Sequence, residues 1–233
     1  MSRELTSCLF CGQFVLQIPG WTSSIPSYRL MRAAWEPQHR FVEGSLHFSC
    51  LRRSDVRHEF RSEFHSIATG HGREITFESA GQEHTLEQPG LGYTKSLFTG
   101  TQCEIYRSEV TDSWLVLEQA GPWFLLDANQ LKEIGEGRPA RSGGDVERIA
   151  LPKDPGPELA SASLSELLEY LRLDAVHKGL EDEAEAEYEF WDYYAPKRIL
   201  EYSLETSLPL PREAVEFLKD YLHRYEPINF DEL

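Results

Sequence analysis

The pattern Cys8-x2-Cys11 … His47-x2-Cys50, with 35 residues between the pairs, restricts this chain more than any other feature of its sequence. Two thiolates at that spacing, followed by Gly12, can face one ion because glycine accepts the tight turn after the second ligand. His47 and Cys50 fall one turn apart if a helix begins there, so their side chains share a face. Three thiolates and one imidazole fill a tetrahedral zinc site completely; such a site keeps no position for water and is structural. A helix N-terminus further favours the thiolate form of Cys50. His39 is the substitute ligand should His47 not take part. The fourth cysteine, Cys103, lies in a β-like run and reads as a small buried hydrophobe.

Texture divides the chain into four segments. Residues 1–72 form a zinc-binding module, with short strands expected at Arg40–Val42 and Ser45–Phe48. A helix follows from about Cys50, where Leu51, Val56, Phe60, Phe64 and Ile67 recur at helical spacing before Gly70 and Gly72 end it. Residues 73–134 consist of short β-type runs punctuated by Gly81, Pro89-Gly90, Gly100 and Gly121-Pro122. They read as an antiparallel meander of five or six strands, closed by a short helix capped at Asp127. Residues 135–162, rich in glycine and proline, read as a linker. Residues 163–233 read as an acidic helical region. Its helices are expected from Ser163 to Leu173, around Asp182–Tyr194, over Lys197–Thr206, and from Pro211 to Tyr225. The last has Val215, Leu218 and Leu222 as its apolar stripe. The fold class is therefore α+β: an N-terminal zinc-stabilised module, an antiparallel β meander and a C-terminal helical segment.

A knuckle carrying Cys8 and Cys11, then a hairpin, then a helix whose first turn supplies His47 and Cys50 resembles a treble-clef zinc finger over residues 8–68. That resemblance implies a structural zinc, and it brings HNH-type nucleases into view because they share the scaffold. Those enzymes need a histidine base on the hairpin and a second metal site on the helix. His58 and His65 lie seven apart on the helix, but no Asp-His or His-His pair precedes them. No nucleophile elbow, phosphate-binding glycine loop, dinucleotide fingerprint or paired-histidine zincin motif occurs either. The chain is expected to be non-enzymatic.

Charge separates the candidate partners. The chain has 23 Lys/Arg and 39 Asp/Glu, a formal net charge of −16 at pH 7. Residues 1–75 hold nine Lys/Arg against seven Asp/Glu, whereas residues 76–233 hold 14 against 32. An acidic majority of this kind repels nucleic acid and anionic membranes and suits a basic protein. No apolar run reaches the ~18 residues of a membrane-spanning helix, and no apolar core of signal-peptide length begins the sequence. A cytoplasmic location is expected, where reducing conditions favour metal binding over disulfides. The ending Phe230-Asp-Glu-Leu233 would carry no meaning as a retention tag there.

The densest acidic run, Glu181–Tyr194, holds seven acids, five aromatics and no base. Glu183, Glu185, Glu187, Glu189, Trp191 and Asp192 are its candidate partner-binding residues. Carboxylates steer association and pair with Lys or Arg, while an aromatic ring supplies anchor area. In overall make-up the chain resembles the bacterial immunity proteins that accompany polymorphic toxins. That resemblance implies a protein that sequesters or occludes a toxin domain with a basic surface. The alternative is a zinc-finger regulatory protein that contacts nucleic acid through Arg52, Arg53, Arg57 and Arg61, near residues 50–61. Asp55, Glu59 and Glu63 interleave with those arginines and give the helix a mixed face.

Overall fold

The computed structural model describes residues 7–13, 15, 18, 20–25, 44–70, 73–88, 90–143, 147–150, 166, 169, 184–192 and 198–229. In chain order its elements are β1 (Thr22–Ile25), β2 (Gly44–His47), α1 (Phe48–Arg53), α2 (Arg57–Thr69), β3 (Arg73–Ser79), β4 (Gln82–Gln88), β5 (Lys95–Thr99), β6 (Cys103–Ser108), β7 (Ser113–Glu118), β8 (Trp123–Leu126), α3 (Ala128–Gly135), β9 (Arg141–Gly143), β10 (Glu147–Ala150), β11 (Ala184–Asp192), β12 (Arg198–Ser207) and α4 (Arg212–Leu222). The chain is mixed α+β with antiparallel sheets and a C-terminal helix. It divides into two compact units. One comprises Met1–Ser24, Gly44–Cys50 and Arg141–Pro209; the other comprises Ile25–Glu43, Leu51–Ala140 and Leu210–Leu233.

The second unit is built on an antiparallel sheet ordered β5–β6–β7–β8. Trp114, Leu115, Val116 and Leu117 of β7 are all buried, so this strand is covered on both faces. Register explains the cover. Leu117 lies opposite Trp123, whose ring stacks on Phe64 of α2 at 4.5 Å, while Trp114 belongs to the other face and meets Tyr221 of α4 at 6.3 Å. Helix α2 offers Phe60, Phe64 and Ala68 at four-residue steps, and all three are buried. Each fully buried aromatic contributes about 1.5–3 kcal/mol. Helix α4 buries Ala214, Leu218 and Tyr221, a stripe rotated by one residue from the expected Val215, Leu218 and Leu222. Close approach of α3 to α4 requires Gly135, where a Cβ would stand 1.9 Å from Leu222 Cδ2.

Polar contacts lock this unit at its edges. Asp127 caps α3 as expected, and Gln130 completes a reciprocal capping box with it. Glu213, in the first turn of α4, accepts from the Thr101 and Gln102 amides and the Thr101 hydroxyl, pinning the helix to the β5–β6 turn. Asp112 accepts from Arg107 Nε at 2.9 Å, Tyr225 Oη at 2.6 Å and the Ile228 amide at 3.2 Å. Burial opposes its ionisation, yet these donors hold its pKa below the ordinary 3.8.

Four expectations need correction. The helix expected from Cys50 onward is two helices, because the Ser54 hydroxyl accepts from the Val56 amide and competes with the helical ladder. The strands expected in one meander belong to two sheets: β3 and β4 form a separate hairpin. The amides of Leu91 and Tyr93, just beyond it, are spent on the Ile67 and Ala68 carbonyls at the end of α2. Part of the segment read as linker is β9 and β10, which pair with β12. Lastly, the helices expected at Asp182–Tyr194 and Lys197–Thr206 are strands β11 and β12, paired antiparallel from Ala184↔Thr206 to Asp192↔Arg198. Glu-Ala-Glu-Ala-Glu-Tyr-Glu-Phe has period two, and that alternation outweighs the helix propensity of glutamate and alanine. Strand Arg40–Val42 and most of the helix from Ser163 lie outside the described residues.

Two stability predictions follow from the second unit. Phe64→Ala should lower urea stability by about 3–5 kcal/mol, because the Phe60–Phe64–Trp123 stack cannot collapse around the void. Asp112 has a depressed pKa in the folded state, so its contribution is fully present above its unfolded value and is lost as pH falls through the folded one. Tyr225→Phe removes one donor; urea titrations should find it less stable than wild type at neutral pH and with a shallower loss below about pH 4.

Candidate metal centre

A turn, a strand end and a helix start bring the four ligands together. The Gly12 amide donates to the Cys8 carbonyl at 2.9 Å and the Cys8 amide to the Gln13 carbonyl at 2.8 Å, folding the knuckle back on itself. Gly12 sits at φ +69°, which is the backbone freedom the turn demands. The knuckle is fixed beside β2 by a parallel bridge from Cys8 to Ser45 and a bond from the Leu9 amide to the Ser45 carbonyl at 3.0 Å. Gly44 lets the two segments close up, since a Cβ there would meet Leu9 at 2.7 Å. His47 ends β2 and Cys50 lies in the first turn of α1, whose entry is held by the Phe48 amide donating to the Trp21 carbonyl at 2.8 Å.

The ligand atoms of Cys8, Cys11, His47 and Cys50 all lie within 4.8 Å of one another, so the group can bind a metal ion. It is the one such group among the described residues. The histidine presents Nδ1, 3.5 Å from Cys11 Sγ and 3.8 Å from Cys50 Sγ. Cys8 and His47 are buried, Cys50 is half-buried and Cys11 is exposed. Amides of Phe10 and His47 point at Cys8 Sγ at 3.4 and 3.5 Å.

Electrostatics make the case for a cation. Burial opposes ionisation of Cys8, but hydrogen bonds from His47 and from the Cys11 and Phe10 amides outweigh it and bring the thiol from 9.0 down to about 6. Burial, followed by the charges of Cys8 and Cys11, pushes Cys50 the other way, up to about 12. One thiolate is welcome in this pocket and a further one is repelled. A divalent ion among the sulfurs inverts that repulsion and releases the remaining protons.

The other residues singled out in the sequence are used differently. Arg52 pairs with Glu118 through two bonds, at 2.8 and 2.9 Å, and Arg61 donates to the Glu118 carbonyl at 3.1 Å. Arg61 Nη2 also lies 2.9 Å from Glu104 as a charge contact without hydrogen-bond alignment. Arg57 donates to the Ser54 carbonyl at 3.1 Å. His58 is exposed, whereas His65 meets Tyr106 Oη at 2.8 Å, which in turn donates to Glu104. Cys103 is fully buried in β6, as a small hydrophobe would be. His39 and Glu183 lie outside the described residues.

Glu185, Glu187, Glu189 and Trp191 occupy alternate positions of β11, and Asp192 belongs to the intervening set. Register places Glu205, Ser203 and Glu201 of β12 opposite Glu185, Glu187 and Glu189. The two β12 glutamates escaped the sequence reading; the four-residue step from Glu201 to Glu205 within a β-type run was the signal available. Comparison with protein-family models, with characterised proteins and with solved structures finds no match.

Metal uptake should depend on pH with a definite sign. Cys50 must lose a proton to ligate, so affinity for a divalent thiophilic ion should fall as pH falls, with protons released on binding. Metal titration at two pH values, with proton release recorded in weak buffer, checks this; uptake independent of pH would contradict it.

Proposed function

We propose that the cluster holds a structural zinc ion, and that the chain is a non-enzymatic binding protein that sequesters or occludes a partner with a basic surface. Zinc bonds of about 2.3 Å to sulfur and 2.0–2.1 Å to nitrogen set those atoms about 3.5 Å apart at a tetrahedral angle. The separations of 3.5 and 3.8 Å around His47 Nδ1 fit that edge. Four protein donors leave the ion no vacancy for water, so its role is to staple. A knuckle, a strand ending in His47 and a helix with Cys50 in its first turn support a treble-clef-like module.

The binding reading is carried by the row Glu185, Glu187 and Glu189 on β11, facing Glu205, Ser203 and Glu201 on β12. Residues at alternate strand positions recur every ~6.6–6.8 Å, and Glu185, Glu187 and Glu189 hold such positions along β11. Like charges directly opposite one another weaken a sheet, and a partner's lysines and arginines would relieve them. A toxin that acts on nucleic acid needs a basic cleft, and regularly spaced carboxylates imitate phosphates there; an immunity protein is the natural user of such a surface. The nucleic-acid alternative has less support, because Arg52 and Arg61 are engaged with Glu118 and Glu104.

Co-expression with the product of the adjacent gene tests this reading. The reading expects that product to arrest growth by itself, wild-type protein to relieve the arrest, and Glu185→Lys/Glu187→Lys/Glu189→Lys not to relieve it. Relief that survives the triple reversal would contradict the acidic docking surface.

A further inference from the structure

We propose that the β3–β4 hairpin is a second docking surface, which accepts an extended basic segment of a partner protein as an added strand along β4. The inference rests on the basic-partner reading above, and it assigns a separate contact to separate residues.

The hairpin reverses at Ala80 and Gly81, both at positive φ (54° and 74°), the mirror-image turn that matches strand twist. Its register sets Glu74 against Glu87, Thr76 against Thr85 and Glu78 against Glu83 on one face, with Phe77 against His84 and Ile75 against Leu86 on the other. All six residues of the first face are exposed. Thr76 and Thr85 meet hydroxyl to hydroxyl at 3.4 Å, between the two glutamate pairs. On the other face Phe77 stacks on the exposed His84 at 5.4 Å, and Leu86 is 54% exposed.

Such a hairpin is poorly provided for by itself. A two-stranded sheet is at best marginal in water, and opposed like charges weaken it further. Among the described residues no third strand pairs with β3 or β4, so β4 offers a line of main-chain donors and acceptors. The stretch Gln82–Gln88 contains no proline, lysine or bulge, the devices that ordinarily close an edge. Its glutamates close the edge selectively. A second copy of this chain, itself at net −16, would set glutamate beside glutamate. A strand with lysine or arginine at alternate positions would lie beside Glu83 and Glu87 and relieve the repulsion within both pairs. Main-chain bonds supply the grip and charge chooses the partner.

A labelled peptide of alternating lysine and threonine, titrated into the full chain, is the probe. Wild type should bind it. Glu83→Lys/Glu87→Lys should bind about ten-fold more weakly or worse, while amide exchange in the hairpin slows because each like pair becomes a Lys–Glu pair. Glu83→Gln/Glu87→Gln should show a smaller loss of affinity. The same peptide N-methylated at alternate residues keeps its charge, cannot add as a strand, and should lose affinity for wild type. Glu185→Lys/Glu187→Lys/Glu189→Lys should retain binding. Undiminished binding by the β4 variants, equal binding of the N-methylated peptide, or no binding to wild type would overturn the proposal. Binding lost only in the β11 variant would overturn it while leaving the basic-partner reading in place.

Discussion

Three cysteine sulfurs and a histidine nitrogen within 4.8 Å of one another are the constraint on which the first unit depends. Thiols do not gather this closely for hydrophobic reasons alone. Burial and the charges of Cys8 and Cys11 drive Cys50 up to about 12, whereas hydrogen bonds from His47 and from the Cys11 and Phe10 amides overcome burial at Cys8 and bring it down to about 6. The surrounding backbone is shaped for the gathering: a left-handed glycine after Cys11, amides aimed at Cys8, and a missing side chain at Gly44. The unit also draws on three separated stretches of chain, including the sheet of β9, β10, β11 and β12. An ion held by Cys8, Cys11, His47 and Cys50 would cross-link two of those stretches, Met1–Ser24 and Gly44–Cys50, and its binding energy would become folding energy.

The second unit stands on different physics. Its β7 is buried on both faces between α2 and α4, and its margins are tied by carboxylates: Asp112 to the tail after α4, Glu213 to the β5–β6 turn, Glu118 to α1. These acids have firm partners within the unit. The exposed glutamates of β3–β4 instead stand opposite one another, Glu74 against Glu87 and Glu78 against Glu83, and the backbone register of β11–β12 pairs Glu185 with Glu205 and Glu189 with Glu201. Opposed like charges cost a sheet stability, and the proposed docking of a basic partner would relieve that cost.

Much of the chain could be read directly from residue order. Cys8, Cys11, His47 and Cys50 announced their cluster by spacing, Asp127 announced a cap, and short apolar or alternating runs between turn residues marked β6 to β8. The acidic run misled because composition and period disagree there. Glutamate, alanine and tyrosine suggested a helical face, whereas Glu185, Glu187 and Glu189 repeat every second residue, which only a strand sets in line. Register was beyond reach of the sequence as well. That Glu201 and Glu205 stand opposite β11, or that Glu74 meets Glu87, depends on pairing across a turn or a long gap. The helix break at Ser54 was hidden by a hydroxyl that serves a local amide.

Hydrogen exchange with and without a strong zinc chelator tests the central claim most directly. A metal staple predicts that chelation exposes the amides of 44–50 and 198–207 to fast exchange while α2, β6 and β7 stay protected. Unchanged protection across the first unit after verified metal removal, or uniform loss across both units, would contradict it.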